Sequence, residues 1–192
     1  KAVGYMQIVH FQGNTMDQVD SAIVALKEKG MEALIIDLRG NDGGVLPSAV
    51  ELAERFLPKN EKIVSVESKV PEQKKEIVST GEKVIGDFPL VVLVDGSSAS
   101  ASEIFAAAMQ DHHRGTIVGV KTFGKASVQS VIPLDDQSAI KLTTARYLSP
   151  KGRMIDGVGI VPDEVVEDGG VPGTPGSQQQ IRRALDILKK YL

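Results

Sequence analysis

The sequence predicts an α/β fold in which helices pack against a mainly parallel β-sheet. Two short, continuous apolar runs, Ala33 to Leu38 and Leu90 to Val94, have the pattern of strands that are buried on both faces. Each run is followed by a glycine-containing turn and then by apolar residues at helical spacing. Strand, turn and helix therefore occur twice in the same order, which favours βαβ units.

Composition restricts both the size and the chemistry of the protein. The chain has 192 residues, which is enough for one globular domain with a sizeable core. A net charge of −3 offers no basic surface, so we expect no nucleic-acid partner. The absence of Cys excludes disulfides, a Cys nucleophile and thiolate metal sites. No apolar run approaches the roughly 20 residues of a membrane-spanning helix.

The N-terminal third is expected to alternate between strands and helices. Tyr5 to Phe11 is rich in strand-forming residues. The sequence starts without an initiator Met, so we expect it to be a fragment of a longer chain. Thr15 and Gln18 form a capping-box pattern at the start of a helix that stops at Gly30. Pro47 then opens a second helix, after the turn that follows Leu38.

The middle of the chain contains one stretch without a pattern. Ile63 to Val66 predicts a third strand, and Glu67 to Phe88 is charged and lacks periodicity. We interpret this stretch as a surface excursion or lid. After the strand Leu90 to Val94, a helix with Ile104, Phe105, Ala108 and Met109 on one face leads into a strand at Thr116 to Val120.

The C-terminal third is predicted to contain further strands and a last helix. Val128 to Leu134 and Ala139 to Tyr147 are strand-like, and turns follow over Pro150 to Gly159. We assign residues 1–168 to one core domain. Residues 169–192 are interpreted as a Pro/Gly-rich spacer, Gly169 to Gly176, and an amphipathic helix that begins with the capping-box pattern Ser177 to Gln180.

Two turns follow the buried strands, where ligands collect in parallel sheets. In the first turn, Gly43 and Gly44 either provide an N–H for an oxyanion hole or only make a tight turn possible. The second turn places four serines, Ser97, Ser98, Ser100 and Ser102, before a helix N-terminus. One of them could be a nucleophile activated by the helix dipole, and the alternative is that all of them cap and pack.

A serine nucleophile needs a base, and the sequence offers two kinds. His10 and the pair His112 and His113 are the histidines, but the chain has no Gly-x-Ser-x-Gly motif. Lys125 follows a glycine after a strand, where apolar neighbours could keep its amine neutral and Gln129 could orient it. Residue patterns alone leave both alternatives open.

Nucleotide and metal chemistry are not expected. Gly119 to Lys125 fits the first seven positions of a phosphate-binding loop, but Ala126 replaces the Ser or Thr that would bind Mg²⁺, and strand rather than helix follows. No metal-ligand spacing of His or Asp occurs. We therefore predict neither a cofactor nor a metal.

Several segments taken together resemble one known family. They are Gly4 to Ile8, Ile36 to Gly44, Ser98 to Ala108, Gly119 to Gln129, Leu142 to Tyr147 and Gly157 to Asp163. In this order they resemble the carboxyl-terminal processing peptidases, or tail-specific proteases, over roughly residues 4 to 166. The resemblance implies a ClpP/crotonase-like α/β core with additional strands and a serine endopeptidase that uses a Ser–Lys dyad.

The resemblance also implies a role for individual residues. Ser100 would be the nucleophile, Lys125 the general base, and Gln129 the residue that orients the lysine. The N–H groups of Ala101 and of one glycine in Gly43–Gly44 would form the oxyanion hole. Asp111 aligns with an acidic position of the family but is better explained as a charge at a helix end. An acyl-enzyme would form on the serine.

The family also implies partners and a location. The substrate would be a protein with a flexible, apolar C-terminal tail, and a PDZ module is expected upstream of these residues. Homo-oligomers are compatible with the sequence, and family members work in the periplasm, the cell envelope or the plastid lumen. The alternatives are a non-catalytic peptide-binding or inactive-state fragment, and an acyl-CoA enzyme on the related fold.

Overall fold

A central parallel sheet and a smaller antiparallel sheet form the molecule. The computed structural model describes residues 1–167 and 178–192. The strands are β1 (Ala2–Gln7), β2 (Met31–Asp37), β3 (Lys62–Ser68), β4 (Lys75–Val78), β5 (Leu90–Val94), β6 (Thr116–Gly119), β7 (Ser127–Pro133), β8 (Ala139–Leu148) and β9 (Glu164–Val165). The helices are α1 (Thr15–Glu28), α2 (Leu46–Glu54), α3 (Ala101–Asp111) and α4 (Gln179–Leu188), and a short 3₁₀ helix spans Pro71–Gln73.

The central sheet has the strand order β1-β2-β5-β6-β9, and all neighbouring strands run parallel. The strands β2 and β5 lie inside the sheet and are buried, as their continuous apolar sequences predict. The α/β prediction with a mainly parallel sheet is confirmed. Because the carboxyl ends of parallel strands share one edge, the turns after β2 and β5 lie side by side.

Both faces of the central sheet are covered by helices. Side chains of α1, α2 and α3 pack on one face with Leu34, Ile36 and Val92. On the other face, α4 contributes Ala184, Ile187 and Leu188 to a cluster with Ala33, Ile35, Val91, Leu93 and Val118. The helix α4 therefore shares a hydrophobic cluster with the same sheet that carries the two turns.

The second sheet is antiparallel, with the order β4-β3-β8-β7. The interpretation of Glu67 to Phe88 as a patternless excursion is wrong at its start, because β3 extends to Ser68 and β4 pairs with it. The strand β4 has four residues and leaves nearly all of its side chains exposed. A strand with so little burial has no alternation of apolar and polar residues for sequence analysis to detect.

The first helix starts differently from the prediction, and the predicted last helix is present with Gln178 as its N-cap. Asn14 is the N-cap of α1, and the Thr15 hydroxyl instead accepts a hydrogen bond from the Gln12 N–H (2.7 Å). The capping-box prediction is therefore wrong, because the hydroxyl holds the loop before the helix. The predicted spacer, with Ser177 of the second capping box, lies outside the described residues. Among those that are described, no helix is long and apolar enough to cross a membrane.

Candidate active site

Ser100 lies where the turn after β5 enters α3. It is the N-cap of this helix, with φ 54° and ψ −111°. A positive φ is uncommon for a residue with a side chain and marks a place where the surrounding structure imposes the conformation. The N–H of Ala101, the next residue, has no hydrogen-bond partner in the described part of the chain. The turn therefore presents a hydroxyl beside a free N–H at a positive helix end.

Hydrogen bonding distinguishes Ser100 from the neighbouring serines. Ser98 is buried and its hydroxyl donates to the Leu38 carbonyl (2.8 Å). Ser102 is also buried and its hydroxyl donates to the Asn41 carbonyl (3.0 Å). Both hydroxyls hold the two turns together, so the packing alternative applies to these serines.

The turn after β2, residues 39–44, is called the glycine turn, and the turn after β5, residues 95–100, is called the serine turn. The two turns contact each other directly at Gly43 and Ser100. A Cβ on Gly43 would lie 2.8 Å from the Ser100 Cβ and 2.7 Å from the Ala99 carbonyl oxygen. Its φ of 108° also lies in the region that favours glycine. The close approach of the two turns therefore requires glycine at position 43.

The two glycines differ in their N–H groups. The Gly43 N–H donates to the side-chain oxygen of Asn41 (2.9 Å). Phe11, which the sequence placed in the first strand, lies outside β1 and forms an isolated bridge with Gly44. This bridge uses the Gly43 carbonyl and the Val45 N–H, and the Gly44 N–H has no partner among the described residues. Of the two glycines, Gly44 has the N–H that can bind a ligand.

Asn41 fixes the glycine turn, and sequence analysis did not identify it. Its side chain is buried and donates to the Ile8 carbonyl (2.6 Å) while it accepts from Gly43. Its own carbonyl accepts from the Ala99 N–H (3.0 Å) and the Ser102 hydroxyl. Asn41 thereby joins the residue that follows β1, the glycine turn and the serine turn.

Glu103 joins the serine turn to the segment that carries Lys125. Its carboxylate is fully buried, and one oxygen accepts from the N–H groups of Ser100 (2.9 Å) and Lys125 (2.8 Å). The other oxygen accepts from the Thr122 hydroxyl (2.5 Å) and the Gly124 N–H (2.7 Å). The main chains of the two predicted dyad residues therefore meet at a single carboxylate oxygen. The Ser-x-x-Glu pattern of a capping box was a signal that could have found Glu103.

The side chains of Lys125 and Gln129 are exposed, contrary to expectation. In the described part of the chain, neither the Lys125 amine nor the Gln129 amide has a hydrogen-bond partner. The apolar enclosure of the amine and its contact with Gln129 are therefore not found. Gln129 lies on β7, an outer strand of the second sheet, and residues 131–143 of the β7–β8 pair are exposed.

The histidines and Asp111 have other partners. The His10 ring contacts the Asp42 carboxylate (2.9 Å), His112 contacts the Glu61 carboxylate (3.1 Å) and the Lys62 carbonyl, and His113 lies beside Lys151. The buried Asp111 pairs with Arg153. This ion pair agrees with a structural role for Asp111. In the described ranges, no group of three acidic or histidine side chains could hold a metal ion.

A buried carboxylate at the end of β2 is a further feature that sequence analysis missed. Asp37 is fully buried and pairs with Arg39, with 2.6 Å between Oδ2 and Nη2. The Tyr5 hydroxyl donates to the same carboxylate (2.6 Å). Burial, together with the hydrogen bond to Asp37 and the charge of Asp37, raises the pKa of Tyr5 to about 12. Arg39, the first residue of the glycine turn, thus compensates the buried charge of Asp37 at the end of β2.

Comparison with known proteins identifies the family. The sequence profile of peptidase family S41 matches residues 2–166. The chain belongs to peptidase family S41. The central sheet, the serine turn and the glycine turn are therefore features of an S41 domain, and the resemblance noted from the sequence is confirmed.

Individual S41 proteins align over most of the chain. A carboxy-terminal-processing protease of Bartonella bacilliformis is 42% identical over 173 residues, which are 86% of this chain and 39% of that protein. A carboxyl-terminal-processing protease of Synechocystis is 39% identical over 191 residues, covering 98% of this chain and 44% of that protein. The S41 domain described here therefore spans about two fifths of the length of these relatives.

A solved S41 structure supports the fold. The photosystem II D1 C-terminal processing protease superposes with a TM-score of 0.81 at 32% identity, covering 94% of this chain and 46% of that one. The tricorn protease superposes with a TM-score of 0.63 at 17% identity and supports the fold alone. The α/β core with its additional antiparallel strands is therefore that of S41 proteases.

Proposed function

We propose that this chain is the catalytic core of a serine endopeptidase that cleaves proteins near their C-terminal tails. The observation that carries this proposal is the shared Glu103 oxygen, which accepts hydrogen bonds from the main chains of Ser100 and Lys125. Among the described residues, the N–H groups of Ala101 and Gly44 have no hydrogen-bond partner, which supports acyl chemistry in particular. Family membership and the names of the relatives support a peptidase that processes C-termini.

In the proposed mechanism, Lys125 is the general base and Ser100 is the nucleophile. The neutral amine accepts the Ser100 proton as the hydroxyl oxygen attacks the scissile carbonyl. The resulting ammonium donates this proton to the leaving amine, and an acyl-enzyme remains on Ser100. Water then attacks the ester, with the same lysine as base. In this mechanism Gln129 orients the amine only after bound substrate has brought the two exposed side chains together.

The oxyanion hole in this proposal consists of the N–H groups of Ala101 and Gly44. The Gly43 N–H is less suited because it already donates to the side chain of Asn41. Gly43 instead allows its turn to contact Ser100. Fixed donors of this kind stabilise the charge that develops on the carbonyl oxygen during attack.

Exposure of the lysine supports a second candidate function. Because the Lys125 amine is exposed, the chain could hold a peptide in the same cleft without cleaving it. For catalysis, substrate or another part of a longer protein must cover the amine and favour its neutral form. We propose that bound substrate has this part, and that the upstream PDZ module implied by the family resemblance tethers the substrate.

The proposed substrate is a protein with a flexible, apolar C-terminus, and the proposed location is extracytoplasmic. A C-terminal processing peptidase of Tetradesmus obliquus that is named chloroplastic is 36% identical over 162 residues, 84% of this chain and 34% of that protein. This relative supports an organelle or envelope location rather than the cytoplasm. A homo-oligomer is compatible with the proposal.

The decisive experiment compares cleavage by matched variants. The parent, Ser100→Ala and Lys125→Ala are incubated with an unstructured peptide that ends in small apolar residues, from about pH 6 to 9, and products are identified by mass spectrometry. Ser97→Ala and Lys121→Ala are the controls, because both residues are exposed and lie close in sequence to the proposed pair. We expect cleavage by the parent and the controls, with a rate that rises with pH, and no cleavage by the dyad variants.

Two results would contradict the proposal in different ways. Cleavage that survives Ser100→Ala would exclude this serine as the nucleophile. If the parent binds the peptide without cleaving it, even after an upstream PDZ module from a relative has been fused to it, the peptide-binding function is the better description.

A further inference from the structure

The C-terminal helix contacts the residue that begins the glycine turn. Gln180, in the first turn of α4, is fully buried. Its side-chain oxygen accepts from the Arg39 guanidinium (3.3 Å), and its amide nitrogen donates to the Val166 carbonyl (2.9 Å). Because both ends of the amide are bonded, Gln180 offers a fixed acceptor to the guanidinium, which Asp37 binds through two other nitrogens.

Arg39 is the side chain on which the buried charge of Asp37 depends. Its Nε donates to both carboxylate oxygens (2.9 and 3.1 Å), and the Arg39 N–H donates to the same group (3.0 Å). A fully buried carboxylate is stable only when its ion pair and hydrogen bonds are complete. A change in the orientation of the guanidinium therefore also displaces the backbone of Arg39, because its N–H bonds the same carboxylate.

The backbone of Arg39 leads directly into the glycine turn. The next residue, Gly40, donates its N–H to the Asp95 carboxylate (3.1 Å), and Asn41 donates its N–H to the Leu38 carbonyl (3.1 Å). Asn41 in turn holds the Gly43 N–H. A displacement of Arg39 is thus transmitted over a few covalently linked residues to Gly44.

The position of Gln180 depends on the packing of α4. Ala184, Ile187 and Leu188 hold the helix against the central sheet, opposite the face covered by α1, α2 and α3. The amide therefore reaches Arg39 from a rigid element. Active-site groups supported in this way are held more accurately than groups supported by a loop.

We propose that Gln180 is a positioning residue for the oxyanion hole, so that α4 belongs to the catalytic machinery rather than only covering the sheet. The kinetic part of this inference rests on the proposed function. A donor that moves by about 1 Å can slow an acyl-transfer reaction by roughly two orders of magnitude. Substrate contacts made elsewhere are unaffected by such a movement.

Kinetics of matched variants test the proposal. Gln180→Met keeps a similar volume without the hydrogen bonds, Gln180→Glu keeps an acceptor for Arg39, and Gln179→Met alters the exposed neighbour on the same helix. For Gln180→Met we expect kcat to fall about tenfold or more, with KM within about twofold of the parent. Gln180→Glu should recover part of this loss, and Gln179→Met should match the parent.

Hydrogen exchange tests the same inference without activity. In the Ser100→Ala background, the amides of Gly40, Asn41 and Gly43 should exchange about tenfold faster after Gln180→Met. If exchange increases only within α4 and the glycine turn is unchanged, Gln180 is structural alone and the inference is wrong. A parent that does not cleave contradicts the proposed function, while the exchange of the turn still decides the role of Gln180.

Discussion

Single residues decide how closely the two turns approach. At Gly43, hydrogen in place of a side chain lets the glycine turn contact the Ser100 Cβ. The same turn contains Gly40, which also has a positive φ (72°) but would place a Cβ in open space. Alanine at position 40 therefore measures the cost of backbone strain alone. Alanine at position 43 measures this cost together with the collision between its Cβ and Ser100.

We predict that Gly43→Ala and Gly40→Ala have different effects. Gly40→Ala should lower the free energy of unfolding by about 1–2 kcal/mol, the cost of a left-handed alanine, and retain activity. Gly43→Ala should also displace Ser100 and abolish cleavage and labelling by a serine-directed reagent. Urea unfolding and labelling rates measure the two effects. Equal labelling of both variants would show that the contact with Ser100 is not needed.

Tyr5 adds a pH dependence at the residue scale. Burial, helped by the hydrogen bond to Asp37, raises its pKa to about 12 from an ordinary value of 10.0. The folded state therefore keeps the phenolic proton between these values while the unfolded state releases it. The stabilisation by Tyr5 is complete below pH 10 and is lost as the pH rises towards about 12.

We predict that Tyr5→Phe flattens the alkaline part of the stability profile. The free energy of unfolding of the parent should fall more steeply than that of the variant between about pH 10 and 12, measured by urea unfolding. Tyr191→Phe is the control, because Tyr191 is 70% exposed. Parallel profiles for the parent and Tyr5→Phe would contradict the assignment.

At the scale of elements, α3 organises the site from its first turn. Its N-cap is Ser100, and its third residue, Glu103, also bonds the segment from Thr122 to Lys125. One helical turn therefore sets the separation of the two candidate catalytic segments. The β7–β8 pair lacks a comparable support, because its residues 131–143 are exposed to solvent.

Residues 131–143, the exposed end of the β7–β8 pair, are called the β7–β8 arm. We predict that the two strands of this arm separate before any other part of the molecule unfolds. Val131 is 65% exposed, and the turn from Leu134 to Ser138 closes a two-stranded ribbon that is marginally stable in water. A protease that cuts before Asp should cleave at Asp135 or Asp136 first, as detected by mass spectrometry. Asp42 is the internal control, since its side chain is 81% exposed but its turn is hydrogen-bonded. Earlier cleavage at Asp42 would contradict the prediction.

At the scale of the whole molecule, α4 completes the burial of the central sheet. Without it, one face of β2 and β5 would expose Ala33, Ile35, Val91 and Leu93 to water. Loss of the buried side chains of α4 is expected to cost about 4 kcal/mol, a large part of the stability of an ordinary domain.

We predict that deletion of residues 178–192 abolishes cooperative folding or lowers the unfolding midpoint strongly. Deletion of Tyr191 and Leu192 alone leaves α4 in place and should cost about 1 kcal/mol or less. Thermal and urea unfolding, followed by circular dichroism, compare the two truncations with the parent. Equal stability of the longer truncation and the parent would mean that the sheet does not depend on α4.

Local patterns predicted most of the fold. Continuous apolar runs identified β2 and β5, and helical spacing identified α1, α3 and α4. Prediction failed where burial is slight, as in β4, and where a side chain bonds the preceding loop instead of capping a helix, as at Thr15. The candidate turns were found because glycine and serine clusters follow buried strands, but patterns could not choose among the serines.

The sequence by itself determined the fold class, the family and the segments in which Ser100, Lys125 and the glycines lie, because periodicity and motif spacing are local properties. Tertiary structure decided which groups are free to act. It showed that Ser98 and Ser102 are engaged in hydrogen bonds and that Glu103 and Gln180 hold the segments in place. It also showed that, among the described residues, the Gly43 N–H has a hydrogen-bond partner and the Gly44 N–H has none. These contacts join residues that are far apart in the chain, and only packing brings them together.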